Sequence, residues 1–176
     1  VRDIGDLKIG CTGGGATHRD TDIPDIATKV RLVREAGVFD YIDRTPLDEE
    51  FRDLLKASER HDLPVLAGGW FYTLGRDETL YERNIAKARL LGSRVHNVQV
   101  LTAHADGHEL SDAEVAEFYL RAHDFGMRHD VMPCFEVHVN MWSEHFGRVG
   151  RVAALVAARR VPFHMTLDHS HVIFKM

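Results

Sequence analysis

The sequence contains few cysteines, and this scarcity excludes one class of fold. Only two cysteines occur in 176 residues, and both Cys11 and Cys134 fall inside strand-like stretches. An extracellular scaffold held together by disulfides needs more cysteines, usually placed in loops. The simplest interpretation is a pair of reduced thiols in a cytoplasmic protein.

The sequence also lacks an excess of basic charge and any long apolar run. Lys and Arg number 22 against 27 Asp and Glu, which gives a net charge of −5. An acidic chain provides no electrostatic surface for nucleic acid. The first six residues lack the apolar core of a signal peptide, and no run of about eighteen apolar residues could cross a membrane. We therefore expect neither nucleic acid nor a membrane as a partner.

What the chain does contain is a repeated alternation of strand-like and helix-like segments. Strand-like runs start near residues 7, 38, 63, 95, 131 and 161, about thirty-one residues apart on average. Strict alternation predicts parallel strands joined by right-handed crossovers, and hence the α/β class. Six such units match three quarters of a (β/α)8 TIM barrel of about 250 residues. A doubly wound open sheet is the alternative.

Local signals predict where several helices begin. Pro24 in the first turn and Gly37 as a terminator predict a helix over residues 22–36. Three further capping signals are Thr45 with Asp48, Ser111 with Glu114, and Ser143 alone.

Two segments after predicted strands are candidates for a pocket. Residues 68–72 follow the third strand and hold three aromatic side chains. They form either a pocket wall, with Trp70 as the better candidate, or simple packing beneath a loop. Residues 102–108 follow the fourth strand and carry several metal-capable side chains. We expect a solvated loop at the mouth of a site rather than a set of metal ligands, with His104 near the substrate.

Two apolar runs end in groups that can bind a metal. The run 131–135 leads to Glu136, and the run 161–167 leads to Asp168. A buried carboxylate without a partner costs several kcal/mol. Two carboxylates at equivalent strand ends, each followed by a histidine, can both be neutralised by one cation. The alternative is a pair of buried acids with ordinary hydrogen-bond partners.

These motifs resemble the xylose-isomerase-like superfamily of barrels, the sugar isomerases and epimerases related to endonuclease IV. The match rests on Glu136 with His138 two residues later, and on Asp168-x-x-His171. Gln99, late in the fourth strand, fits less specifically. The resemblance covers essentially the whole chain at the level of pattern, so residues 1–176 are expected to form one barrel domain, incomplete at its C-terminus.

The resemblance implies a metal site of which this sequence holds a part. In that family one divalent ion is held by a Glu, an Asp, a His and a second Glu from the last four strands. Glu136 and Asp168 match the first two positions. The other two would lie on seventh and eighth strands, so we expect the natural chain to continue for about two more strand–helix units. Without them, we expect self-association through the open sheet edge.

The resemblance also implies an activity: a divalent-metal-dependent sugar or sugar-phosphate isomerase or epimerase, acting through an enediolate. Glu136 would be one of two carboxylates that move the proton, and His171 would stabilise charge on a substrate oxygen. His138, Trp70, Gln99 and His104 are predicted substrate contacts. Oxygen and imidazole ligands favour Mn, Mg or Co, with Zn as an alternative.

Three alternatives remain open. A lyase or dehydratase could use the same metal-binding barrel, because enolate chemistry is shared. An abasic-site nuclease is disfavoured by the acidic charge of the chain. A catalytically silent binding protein is the third.

Overall fold

The structure, a computed structural model, describes residues 7–16 and 23–173, with side chains as far as His171. Strands and helices alternate along these residues. The elements are β1 (Gly10–Thr12), α1 (Ile26–Ala36), β2 (Tyr41–Arg44), α2 (Phe51–His61), β3 (Val65–Tyr72), α3 (Glu78–Leu90), β4 (Val95–Val100), α4 (Asp112–Arg128), β5 (Met132–Val137), α5 (Phe146–Ala158), β6 (Met165–Leu167) and α6 (His169–Ile173). A short 3₁₀ helix, Trp142–Glu144, precedes α5.

The six strands form one parallel sheet whose spatial order is the order of the sequence, β1-β2-β3-β4-β5-β6. Helices separate successive strands, as right-handed crossovers require. This arrangement is a partial TIM barrel, so the predicted barrel is confirmed. The alternative, a doubly wound open sheet, is wrong because its strand order would not follow the sequence. Within the described ranges 7–16 and 23–173, β1 and β6 each pair with one neighbouring strand.

Two apolar clusters hold the helices against the sheet. The larger lies between β3–β5 and helices α3–α5 and includes Phe135, Tyr119 and Val152. The smaller lies between β2–β3 and helices α1–α2 and includes Val30 and Ile42. Each of these five side chains is fully buried, which contributes about 1.5–3 kcal/mol for an aliphatic side chain of this size. The helix-facing side of the sheet is therefore an ordinary core, and the other face is free for polar groups.

One buried polar network crosses the larger cluster. Tyr72 Oη lies 2.7 Å from His96 Nε2, and Asn84 Nδ2 donates to the same oxygen at 2.8 Å. Burial lowers the pKa of His96 to about 4, because a charged imidazolium is poorly stabilised inside a protein. His96 is therefore a neutral core histidine that belongs to packing.

Two predicted helix starts were wrong. Helix α1 begins at Ile26 rather than at position 22, which lies outside the described residues; Asp25 caps it by accepting from Thr28 N at 2.7 Å. Thr45 donates to the Gly69 carbonyl at 2.7 Å, and α2 begins only at Phe51.

The two remaining capping predictions had different outcomes. Ser111 and Glu114 form the predicted capping box of α4, with both reciprocal hydrogen bonds present. Ser143 does not cap α5, which begins at Phe146. Its hydroxyl donates to the Glu136 carbonyl instead.

Strand β3 is longer than predicted. It continues through residues 68–72, so the predicted loop there is strand. The register shifts between Ala67 and Trp70, which places Gly68 and Gly69 at an irregularity in the ladder. Glycines in a strand interior often mark such a place. Among the described helices, none is long and apolar enough to span a membrane.

Candidate active site

The candidate site is built around Glu136 on the inner face of the sheet. Side chains alternate along a strand, so Asn97 and Gln99 of β4 point the same way. Asn97 Nδ2 donates to Glu136 Oε2 at 2.5 Å, and Gln99 Nε2 donates to the same oxygen. The Glu136 residue is only 5% exposed. Two amide groups thus fix one buried carboxylate. Gln99, predicted as a substrate contact, donates its hydrogen bond to Glu136.

His138 follows Glu136 on the same side and is positioned by the backbone. Its Nδ1 lies 2.7 Å from the Val139 carbonyl oxygen. A carbonyl only accepts, so Nδ1 carries the proton and Nε2 keeps a lone pair. Buried Ser143 links the two residues, since its oxygen accepts from His138 N and donates to the Glu136 carbonyl. The turn after β5 therefore places the unprotonated Nε2 of His138 beside the Glu136 carboxylate.

His171 closes the group from the next strand–helix unit. It lies in α6, and its ring centroid is 3.8 Å from that of His138. The His171 Nδ1 is buried without a hydrogen-bond partner among the described residues. A buried polar atom of this kind needs an explanation, and a bound ion or substrate oxygen is one.

Glu136, His138 and His171 each offer one ligand atom, and these three atoms lie within 4.8 Å of one another. Donors around one divalent ion lie about 2.0–2.2 Å from it, so opposite donors are about 4.4 Å apart. Small side-chain adjustments would bring all three to one ion. A carboxylate with two imidazoles suits Zn and other transition metals and leaves positions for substrate. The residues present fit a catalytic metal site.

Asp168 lies beside this group but is not one of its three members. Its Oδ1 accepts from Ser170 N at 2.8 Å and from Ser170 Oγ at 2.7 Å. Its Oδ2 lies 3.5 Å from His171 Nε2. The hydrogen bond from the Ser170 hydroxyl lowers the pKa of Asp168, against the opposing effect of burial. Asp168 therefore contacts the site through His171.

Asp43 is a site residue that the sequence argument did not identify. It stands on β2, opposite Leu66 in the register, and faces Gly68. A Cβ at Gly68 would lie 2.2 Å from Asp43 Oδ1. Burial, followed by the negative charge of Glu136, raises the pKa of Asp43 to about 6. Two carboxyl groups on one face therefore influence each other, and one of them is partly protonated near neutral pH.

The sequence contains a pattern from which Asp43 could have been predicted. Residues 38–42 form an apolar-rich run that ends at this acid, the same pattern that singled out Glu136. Asn97 also had a signal, because it precedes Gln99 by two positions on one strand. Phe71, whose ring meets that of His138 edge-on at 5.6 Å, had none beyond its aromatic type.

Two predicted substrate contacts lie elsewhere. Trp70 pairs with Val98 in the register and packs against the larger apolar cluster on the helix side of the sheet. His104 lies in the loop after β4, where its Nδ1 is 3.2 Å from Asp106 Oδ1 and its ring stacks on that of His108. The structure thus brings together Glu136, Gln99, His138, His171 and Asp168 but not Trp70 or His104.

Comparison with known proteins gives matches among solved structures. No protein-family model matches the chain, and no curated protein matches it. D-allulose 3-epimerase from Methylomonas sp. superposes with a TM-score of 0.70 at 16% identity, covering 95% of this chain and 64% of that one. The IOLI protein with a bound zinc atom superposes at 0.61 with 16% identity, covering 86% and 59%. The probable 3-DHS dehydratase AsbF from Bacillus anthracis superposes at 0.66 with 15% identity, covering 94% and 64%.

These matches establish the fold. The resemblance to the xylose-isomerase-like barrels is confirmed at the level of the fold, which a sugar epimerase, the IOLI protein with its zinc atom and a probable dehydratase share. The chain spans less than two thirds of the length of these three structures.

Proposed function

We propose that this chain carries the metal-binding half of an isomerase or epimerase that acts on a sugar or sugar phosphate. The observation that carries the proposal is the buried Glu136 carboxylate at a strand end, fixed by two amides and accompanied by two histidines. The epimerase structures that share the fold support the substrate class.

The metal would be held by the inner-face donors. Glu136 belongs both to the predicted pair with Asp168 and to the group with His138 and His171, so it is the central ligand in either arrangement. Asp168, whose Oδ2 lies 3.5 Å from His171 Nε2, would be the further ligand that the family resemblance implies. A divalent ion here supplies polarisation of a substrate carbonyl and stabilises the negative charge that develops beside it.

The side chains would divide the proton transfer among them. Glu136 removes the proton from the carbon next to the carbonyl, and its two amide donors, Asn97 and Gln99, hold it in place. Asp43, whose carboxyl lies close enough to Glu136 for their charges to interact, would exchange a proton with a substrate oxygen. His171 stabilises charge on a second substrate oxygen, and Phe71 with His138 forms an edge of the binding surface.

A dehydratase is the second candidate. One structure with the same fold is the probable 3-DHS dehydratase AsbF. Removal of a proton by Glu136 is common to both reactions, and proton donation from Asp43 would let a hydroxyl group leave as water. Loss of one water from the substrate, followed by mass spectrometry, separates this reaction from epimerisation.

Exchange with solvent deuterium tests the proposal. We expect the protein, loaded with Mn²⁺, Co²⁺ or Zn²⁺, to exchange the proton next to the carbonyl of a ketose in D₂O, observed by NMR. Glu136→Gln should slow exchange at least about 100-fold, the low end for loss of a general base. Glu59→Gln, an exposed change on α2, is the matched control and should leave exchange unaltered. If no ketose exchanges and no divalent ion binds, the proposal is wrong.

A further inference from the structure

The loop between β4 and α4 folds into a small hairpin. Ala103 and Glu109 form an antiparallel bridge, and His104 N donates to the His108 carbonyl at 2.9 Å. Gly107 adopts a φ of 96°, a conformation that favours glycine. The two histidines thus face each other, with ring centroids 4.7 Å apart and planes 22° from parallel.

The turn of this hairpin places a carboxylate beside the Nδ1 atoms of both rings. Asp106 Oδ1 lies 3.2 Å from His104 Nδ1 and 2.6 Å from His108 Nδ1. One donor atom from each residue lies within 4.8 Å of the other two. We propose that His104, Asp106 and His108 form a second divalent-metal site, separate from the group around Glu136, with zinc as the favoured ion.

The spacing of the donors suits a tetrahedral ion. Bonds of about 2.0–2.2 Å at the tetrahedral angle separate neighbouring donors by about 3.3–3.6 Å. The 3.2 Å separation from His104 to Asp106 is close to this value, and the 2.6 Å separation from His108 opens with a small ring rotation. Two imidazoles and one carboxylate favour zinc over Mg²⁺ or Ca²⁺, which prefer oxygen donors alone.

Glu114 provides the outer support that metal-binding histidines usually have. His108 Nε2 lies 2.7 Å from Glu114 Oε1, so this nitrogen donates to the carboxylate and Nδ1 faces Asp106. Donation of the far N–H to a carboxylate fixes the ring of a metal ligand and raises its basicity. Glu114 is itself held by Ser111 in the capping box of α4. An ion would take the place of the proton that His108 Nδ1 otherwise shares with Asp106.

The ring of His104 packs against the segment that follows β3. Ala105 N donates to the Leu74 carbonyl at 2.8 Å, which ties the hairpin to the segment after β3. A Cβ at Gly75 would lie 2.4 Å from His104 Nε2, so the ring packs directly on this glycine. With both rings and the turn fixed before any ion binds, the site would stabilise the hairpin and would take no part in proton transfer.

Calorimetric titration with ZnCl₂ tests the proposal. The background is Glu136→Gln with His138→Ala, which removes two donors of the first site. In this background we expect one equivalent of Zn²⁺ to bind, and His104→Ala with His108→Ala to abolish it. His61→Ala, on α2 and in neither group, is the matched control. Binding that persists without His104 and His108, or that is absent with both present, overturns the proposal.

Two further measurements address the support from Glu114 and the folding of the variants. Glu114→Gln keeps a residue suited to the capping box but removes the charge, so we expect at least about tenfold weaker Zn²⁺ binding. In the unaltered protein, Zn²⁺ should shift the ¹⁵N resonances of the His104 and His108 rings but leave that of His123 unchanged. Unshifted His104 and His108 resonances at saturating Zn²⁺ contradict the site without recourse to any variant.

Discussion

Replacement of Asp43 by asparagine should make the metal-free protein more stable at neutral pH. The pKa of Asp43 is raised from the ordinary value of 3.8 to about 6, first by burial and then by the charge of Glu136. The folded state therefore binds more protons than the unfolded state between these values, and stability falls as pH rises through this window. At about 1.4 kcal/mol for each pKa unit, the ionised carboxylate costs about 3 kcal/mol above pH 6.

The expected effect has a defined pH profile. Asp43→Asn should raise the free energy of unfolding by up to about 3 kcal/mol at pH 7 and by about half of that at pH 5, because the wild-type carboxyl is then mostly protonated. Urea denaturation of both proteins across this range gives the difference. Asp124→Asn is the control, since Asp124 is exposed in an i,i+4 pair with Arg128 and such pairs contribute about 0.5 kcal/mol or less.

The stability of Asp43→Asn relative to the wild type decides whether the Asp43 carboxylate is destabilised. If Asp43→Asn is no more stable than the wild type at pH 7, or its gain does not shrink toward pH 5, the carboxyl is not destabilised as described. The coupling to Glu136 is tested separately: the gain from Asp43→Asn should be smaller in a Glu136→Gln background, where one cause of the raised pKa is absent.

Two further predictions concern the site and the scaffold. His171→Ala should reduce turnover at least about tenfold, measured by deuterium exchange, whereas His169→Ala beside it on α6 is exposed and should have little effect; equal rates for the two variants would assign His171 to structure. Ser111→Ala removes the N-cap of α4 and should lower the free energy of unfolding by about 1 kcal/mol in urea denaturation, and an unchanged midpoint would contradict the role of the cap.

The order and type of the elements were predictable because periodicity reports burial. The strand-like runs near residues 95 and 131 became β4 and β5, since an apolar run between turn signals has few other uses. The capping box at Ser111 and Glu114 was predictable for the same reason: both partners are local. The prediction that Ser143 caps α5 was wrong because its hydroxyl donates to the Glu136 carbonyl instead. That tertiary contact cannot be read from the local sequence.

Site residues at strand ends were predictable, because the strand sets the position of their side chains. Residues whose side-chain direction depends on tertiary packing were not predictable. Glu136 and His138 are two apart on one strand, so their common side followed from the period of a strand. Trp70 lies on the helix side of the sheet because the register shift at Gly68 and Gly69 changes the alternation along β3. Asp43 was recognised as a site residue only from its contact with Gly68, and that contact joins residues on different strands.

The sequential strand order also governs how the chain can fold. Each strand from β2 to β6 pairs with the strand that precedes it in the sequence, so each pairing closes a loop of only about thirty residues. Loop-closure entropy rises slowly with length, and local pairings form faster than distant ones. Each strand can therefore dock onto an existing edge as it leaves the ribosome, with no wait for a distant partner. Glu136 would join the growing sheet only after β4 had placed Asn97 and Gln99 to receive it.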